Sequence, residues 1–119
     1  MRLRIDLQRA QFAPGDRVAG EVVVLDGGRS RGATARLRFV ERSLPFEAVA
    51  RETDPVTIAA GELRSGDVLP FALRLPDDAL PSVSTDLCSL LWELRVEVDV
   101  PLRPDADERL ELVVVRPRG

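Results

Sequence analysis

The side chains here that can do chemistry are carboxylates, guanidiniums and one thiol. All seventeen basic residues are arginine; histidine, lysine, tyrosine and asparagine do not occur. Without histidine there is no imidazole base, no triad and no histidine metal ligand. Cys88 follows Asp86 and Leu87. Neighbouring negative charge disfavours a thiolate, so Cys88 reads as structural or incidental. Asp54, Asp77, Asp78, Asp86, Asp105 and Asp107 offer hard oxygen ligands, and Asp105-Ala106-Asp107-Glu108 is the most calcium-like piece. It lacks the spacing of an EF-hand loop and reads as a polar hairpin turn. Gly27-Gly28 and Gly32 follow no strand–helix pattern, so no phosphate cradle is expected. The expectation is a chain with no catalytic residue, no cofactor and no metal.

Charge on strand faces says more. Arg36 and Arg38 alternate with Ala35, Leu37 and Phe39; Glu93, Glu97 and Asp99 alternate with Trp92, Leu94, Val96 and Val98. If the two segments are sheet neighbours, the arginines face the carboxylates, each cross-strand pair contributing about 0.2–1 kcal/mol. The favoured expectation is a solvated face with modest pairing. The functional alternative is a recognition face built on arginine forks. Near the end, Leu110, Leu112 and Val114 face inward while Val113 and Val115 make the outer face apolar too. Val23 and Leu25 do the same on an earlier strand. Such surface is either covered by the domain itself or invites another chain. Val113, Val115, Val23, Arg36 and Arg38 are therefore the candidate interface residues, with strand addition one mode of contact.

The elements that must position these residues have a period of two almost throughout. Leu3, Ile5 and Leu7 mark the first strand. Ala13-Pro14-Gly15-Asp16 is a tight turn, and Val18, Gly20, Val22 and Val24 form one face of the next strand. Residues 26–32 read as a loop, 35–39 as a strand, 45–53 as a weaker strand of ambiguous face, and 56–60 as a short extended piece. Leu69, Phe71, Leu73 and Leu75 follow, with Pro70 suggesting an edge or opening position. Residues 76–89 read as a crossover loop with room for one helical turn at 77–80. Residues 90–100 give the clearest alternation, with Trp92 inside as a core anchor. Residues 101–107 turn, and Leu110 to Val114 close the set. Around eight strands at this spacing predict an all-β, immunoglobulin-like antiparallel sandwich.

The 119 residues predict one domain, 1–119. Aromatics are 4%, so the core must be aliphatic. A net charge of -3 argues against a nucleic-acid partner. No apolar run is long enough for a membrane span, and the opening alternation is that of a strand, not of a signal peptide. One cysteine forms no internal disulfide and fits a reducing, cytoplasmic setting. The arginine-only basic set fits a GC-rich, bacterial coding bias.

The pattern Pro14-Gly15-Asp16-x-Val18-x-Gly20-x-Val22 resembles the start of arrestin-fold domains. So do Gly66, Pro70-Phe71-x-Leu73-x-Leu75-Pro76, Leu80-Pro81-Ser82 and Trp92-x-Leu94-x-Val96. Val98-Asp99-Val100, Asp105 and the strand to Val115 are similar to bacterial sporulation-control proteins of the Spo-zero-M type. Those share the arrestin shape with the α-arrestins and a retromer subunit. The resemblance implies an arrestin-type sandwich acting as a non-enzymatic adaptor or scaffold. Its relatives carry two sandwiches in tandem and this chain has one, which implies a homodimer or a second sandwich in trans; the protein partner itself is unknown. Some arrestins sense phosphate through paired lysines, which have no counterpart here. A sandwich gripping a small molecule, sugar or lipid is the alternative, disfavoured for sugars by the few aromatics and the absent tyrosine and asparagine. An enzyme is the third option, and would need carboxylates converging in a closed pocket.

Overall fold

The computed structural model describes residues 1–116, all strand, turn and loop. The strands are β1 (Arg2–Leu7), β2 (Gln11–Phe12), β3 (Arg17–Asp26), β4 (Gly32–Ser43), β5 (Phe46–Glu52), β6 (Val56–Ala60), β7 (Val68–Arg74), β8 (Val83–Ser84), β9 (Ser89–Asp99) and β10 (Ala106–Val114). They form two sheets. The smaller has the order β1-β3-β7; the larger runs β2-β10-β9-β4-β5, with β6 also on β4 and β8 also on β9.

Alternation decides which side chains meet between the sheets. Leu3, Val18, Val22, Val24, Phe71 and Leu73 come from the small sheet; Leu37, Phe39, Trp92, Leu94, Val96, Val98, Leu112 and Val114 come from the large one. Each such side chain contributes about 1.5–3 kcal/mol by leaving water. Trp92 lies 5.2 Å from Phe39, ring centre to ring centre, and its indole N–H donates to the Leu80 carbonyl at 3.0 Å. That bond satisfies the one polar atom the ring carries inward.

The two turn-bearing segments are stitched together. Gly15 takes a φ of 80°, the left-handed region that glycine enters without a Cβ penalty. The Gly15 N–H donates to the Pro76 carbonyl at 3.0 Å, and the Leu75 N–H to the Asp16 carbonyl at 2.9 Å. Asp16 Oδ2 accepts from the Ala13 N–H at 2.8 Å, closing the turn.

Sequence and structure part in three places. Residues 77–80 form a turn, Ala79 donating to Pro76 at 3.1 Å, and no helical turn. The crossover loop contains β8, paired to Ser89 and Leu90. In β5 neither face is inside, since all seven residues are exposed. That strand is the free edge of the large sheet, so its apolar residues have no sheet to cover them.

Candidate functional site

The face of the large sheet turned away from the core carries a dense charge network. Registry builds it: Arg38 lies opposite both Glu52 on β5 and Glu93 on β9, and Arg42 lies opposite Glu47. Glu93 and Arg95 lie opposite Glu111 and Arg109 on β10. Arg38 Nη1 is 3.3 Å from Glu93, and Arg36 is 3.6 Å from both Glu52 and Glu97. Arg95 reaches Glu97 at 3.5 Å and Asp107 at 3.4 Å. Arg42 bridges Glu47 at 3.2 Å and Glu111 at 2.8 Å, and Arg109 donates to Glu47 at 3.2 Å.

The network has depth. Arg38 is 8% exposed and Glu93 1%. Val40 and Leu91, on this same face, are buried yet stand apart from the main core. Burial pushes the Glu93 carboxyl above its ordinary range, opposed by the Arg38 charge and more weakly by Arg109 and Arg42. The Arg42 guanidinium is held above its ordinary value by its hydrogen bonds to Glu111 and Glu47. Beside this cluster lies an open depression of about 400 Å³, lined by Arg42, Glu93, Asp107, Glu108, Arg109 and Glu111.

The expected facing of Arg36 and Arg38 toward Glu93 and Glu97 is present, whereas Asp99 pairs with Arg31 at 2.9 Å. The expectation of a solvated face fails at Arg38 and Glu93. Strict alternation puts both outside, but neighbouring strands carry long side chains over them. Arg42, Glu47 and Arg109 escaped the sequence reading; the one available signal was the charge alternation Asp107, Arg109, Glu111 along β10.

Val113 on β10 and Val115 just past its end lie exposed, and Val23 is half-buried on β3. The strand edge beside Val113 and Val115 is already taken. β2 pairs there in parallel, with Val113 donating to Ala10 at 3.3 Å and Val115 to Phe12 at 2.9 Å. The aspartates scatter: Asp78 binds Arg51 at 2.9 Å, Asp77 binds Arg74 at 2.9 Å, and Asp105 accepts from the Val100 N–H at 3.4 Å. Arg51 holds the Asp78 carboxyl below its ordinary range. Cys88 is free and half-buried, its Sγ 3.9 Å from Glu41.

A second feature lies at one end of the large sheet. Leu44 and Leu87 are each 85% exposed and Phe46 is 75% exposed. Leu44 and Phe46 flank the β4–β5 turn, and Ser43 Oγ donates to the Leu87 carbonyl at 3.3 Å, bringing the two loops together.

The family described as "Arrestin (or S-antigen), N-terminal domain" matches residues 43–118. Among solved structures, the crystal structure of Spo0M, sporulation control protein, from Bacillus subtilis is similar, with a TM-score of 0.64 at 16% identity. The match covers 95% of this chain and 48% of that one, so this chain spans about half its length. That likeness is one of fold, and it agrees with an all-β, arrestin-type sandwich. No curated protein matches the chain by sequence.

Proposed function

This chain belongs to the arrestin family, its match lying in the N-terminal domain, and from that footing we propose that it is a non-enzymatic interaction module, an adaptor or scaffold that binds another protein. The observation that carries this reading is the apolar end formed by Leu44, Phe46 and Leu87. Large apolar side chains clustered in water cost free energy unless a partner covers them, and such patches mark interaction surfaces. β5 adds an edge strand exposed along its whole length, open to main-chain pairing.

We read residues 1–119 as one domain acting in a bacterial cytoplasm, on the strength of the single cysteine and the arginine-only basic set. The partner class to test first is a second sandwich, from another copy of this chain or from a separate one. Val113 and Val115 would join that contact through side chains, β2 holding their strand edge. Val23, Arg36 and Arg38 remain interface candidates, Arg38 acting from beneath the surface.

The test pairs sedimentation with capture by the purified domain from its own organism. The expected result is either self-association or a retained protein, lost in Leu44→Ser/Phe46→Ser/Leu87→Ser with the melting temperature unchanged. A strict monomer at high micromolar concentration, retaining the same proteins with and without these substitutions, overturns the proposal.

A further inference from the structure

The small sheet turns one face to the core and the other outward. On β3 the outward side chains are Arg17, Ala19, Glu21 and Val23, since Val18 and Val22 between them lie in the core. Register adds a second column from β7: Arg74 lies opposite Arg17, Ala72 opposite Ala19, Pro70 opposite Glu21 and Val68 opposite Val23. Ala72, Pro70 and Val68 are exposed, and Ala19 and Val23 are half-buried. The body of this face is therefore small or apolar and open.

Two like-charged pairs interrupt it. Arg17 faces Arg74 across the strands, and Glu21 faces Asp6 on β1. Like charges directly opposite destabilise a sheet. Arg74 is offset by Asp77 at 2.9 Å and Asp6 by Arg4 at 3.1 Å. Arg17 and Glu21 have no ion-pair partner among the described residues. They stand about 13 Å apart along one strand, on either side of Ala19. Each leaves a charge to be matched from outside the chain, one positive and one negative.

We propose that this outer face is a self-association surface, occupied by a second copy of the chain about a two-fold axis that crosses the strands at Ala19 and Ala72. This deepens the reading of the domain as an interaction module and rests on it, using a face apart from the apolar end at Leu44, Phe46 and Leu87. The axis reverses strand direction, so Arg17 of each copy lies over Glu21 of the other in two equivalent pairs. The short side chains of Ala19 and Ala72 at the axis let the faces approach to about the 10 Å of packed sheets. The stem of Arg74 then covers Pro70 of the opposite copy, and Val68 lies over its Pro76. A second copy fits because the charge match is contained in the face itself: each copy brings the counter-charges the other lacks.

The experiment is sedimentation equilibrium of the purified chain over a concentration series reaching high micromolar, at low and high salt. The expected result is a monomer–dimer equilibrium weakened by salt. Arg17→Glu and Glu21→Arg, both at exposed positions, each set like charges in both pairs and should weaken association roughly ten-fold or more. Mixed in equal amounts, the two variants should associate as the parent does, because each then meets opposite charges on the other. The double variant Arg17→Glu/Glu21→Arg should recover in the same way. Leu44→Ser/Phe46→Ser/Leu87→Ser, at the end of the other sheet, should self-associate like the parent, so a failed dimer and a failed capture by the apolar end are separate results. A parent that stays monomeric, single variants that associate like the parent, a mixture or double variant that does not recover, or association lost in the apolar-end variant would overturn the proposal.

Discussion

Glu47 on β5 and Arg109 on β10 form an ion pair at 3.2 Å although β9 and β4 lie between their strands. In a flat sheet those backbones would stand about 14 Å apart. The pair spans that gap because both side chains are long and lean along the outer face toward each other. Glu47 also holds Arg42, so one carboxylate ties two arginines. Glu47→Ala should lower stability by about 0.2–1 kcal/mol for each partly exposed pair lost. Urea denaturation at low and high salt checks this: the difference from the parent should shrink as salt rises.

Glu93 sets a pH dependence whose sign follows from its burial. Its folded pKa is raised, so its contribution to stability is fully present below the ordinary carboxylate range and is lost as pH rises through the folded value. Glu93→Gln, neutral at every pH, should therefore gain on the parent protein as pH rises and lose that gain toward acid. Melting temperatures of both proteins across mildly acid to neutral pH test it; a difference that grows toward acid would contradict the assignment.

Trp92 anchors the core through packing and through its bond to Leu80. Trp92→Ala should cost about 3–5 kcal/mol by leaving a cavity. Trp92→Phe keeps part of the packing but leaves the Leu80 carbonyl short of its donor, costing about 1–3 kcal/mol more than a simple size change. Equilibrium urea curves for the two variants separate the contributions.

Much of this fold can be read from residue spacing alone. The alternation from Leu90 to Val100 places Trp92, Leu94, Val96 and Val98 inside, and they are inside. The turn at Pro14-Gly15-Asp16 and the strand before Pro76 are also legible from local chemistry. The burial of Glu93, Arg38, Leu91 and Val40 is not. Period two assigns each to the open face, and their burial depends on the order of strands far apart in sequence, which residue spacing does not show. β2 escapes for another reason: two residues carry no period, and its partner lies at the other end of the chain. The apolar end was half legible. Leu44, Phe46 and Leu87 are plain in the sequence, but their convergence needs the contact of Ser43 with Leu87.

At Gly20, a side chain on β3 would meet the backbone of β1. A Cβ there would overlap the Asp6 carbonyl of the neighbouring strand. The clash is with backbone, which cannot swing aside, so Gly20→Ala should destabilise by about 1–3 kcal/mol. Amide exchange offers the specific readout: faster exchange over Arg4 to Leu7 than over β9 locates the damage at the β1–β3 seam.

The parallel pairing of Phe12 with Val114 joins residues about a hundred positions apart, a long loop to close before any reward arrives. Time, not strength, is what that contact governs. A ribosome must have released nearly the whole sandwich before the short β2 segment finds its place. Until then the outer edge of β10 stands open to any passing strand, so the newly made chain is at its most vulnerable to mispairing in the interval before β2 docks.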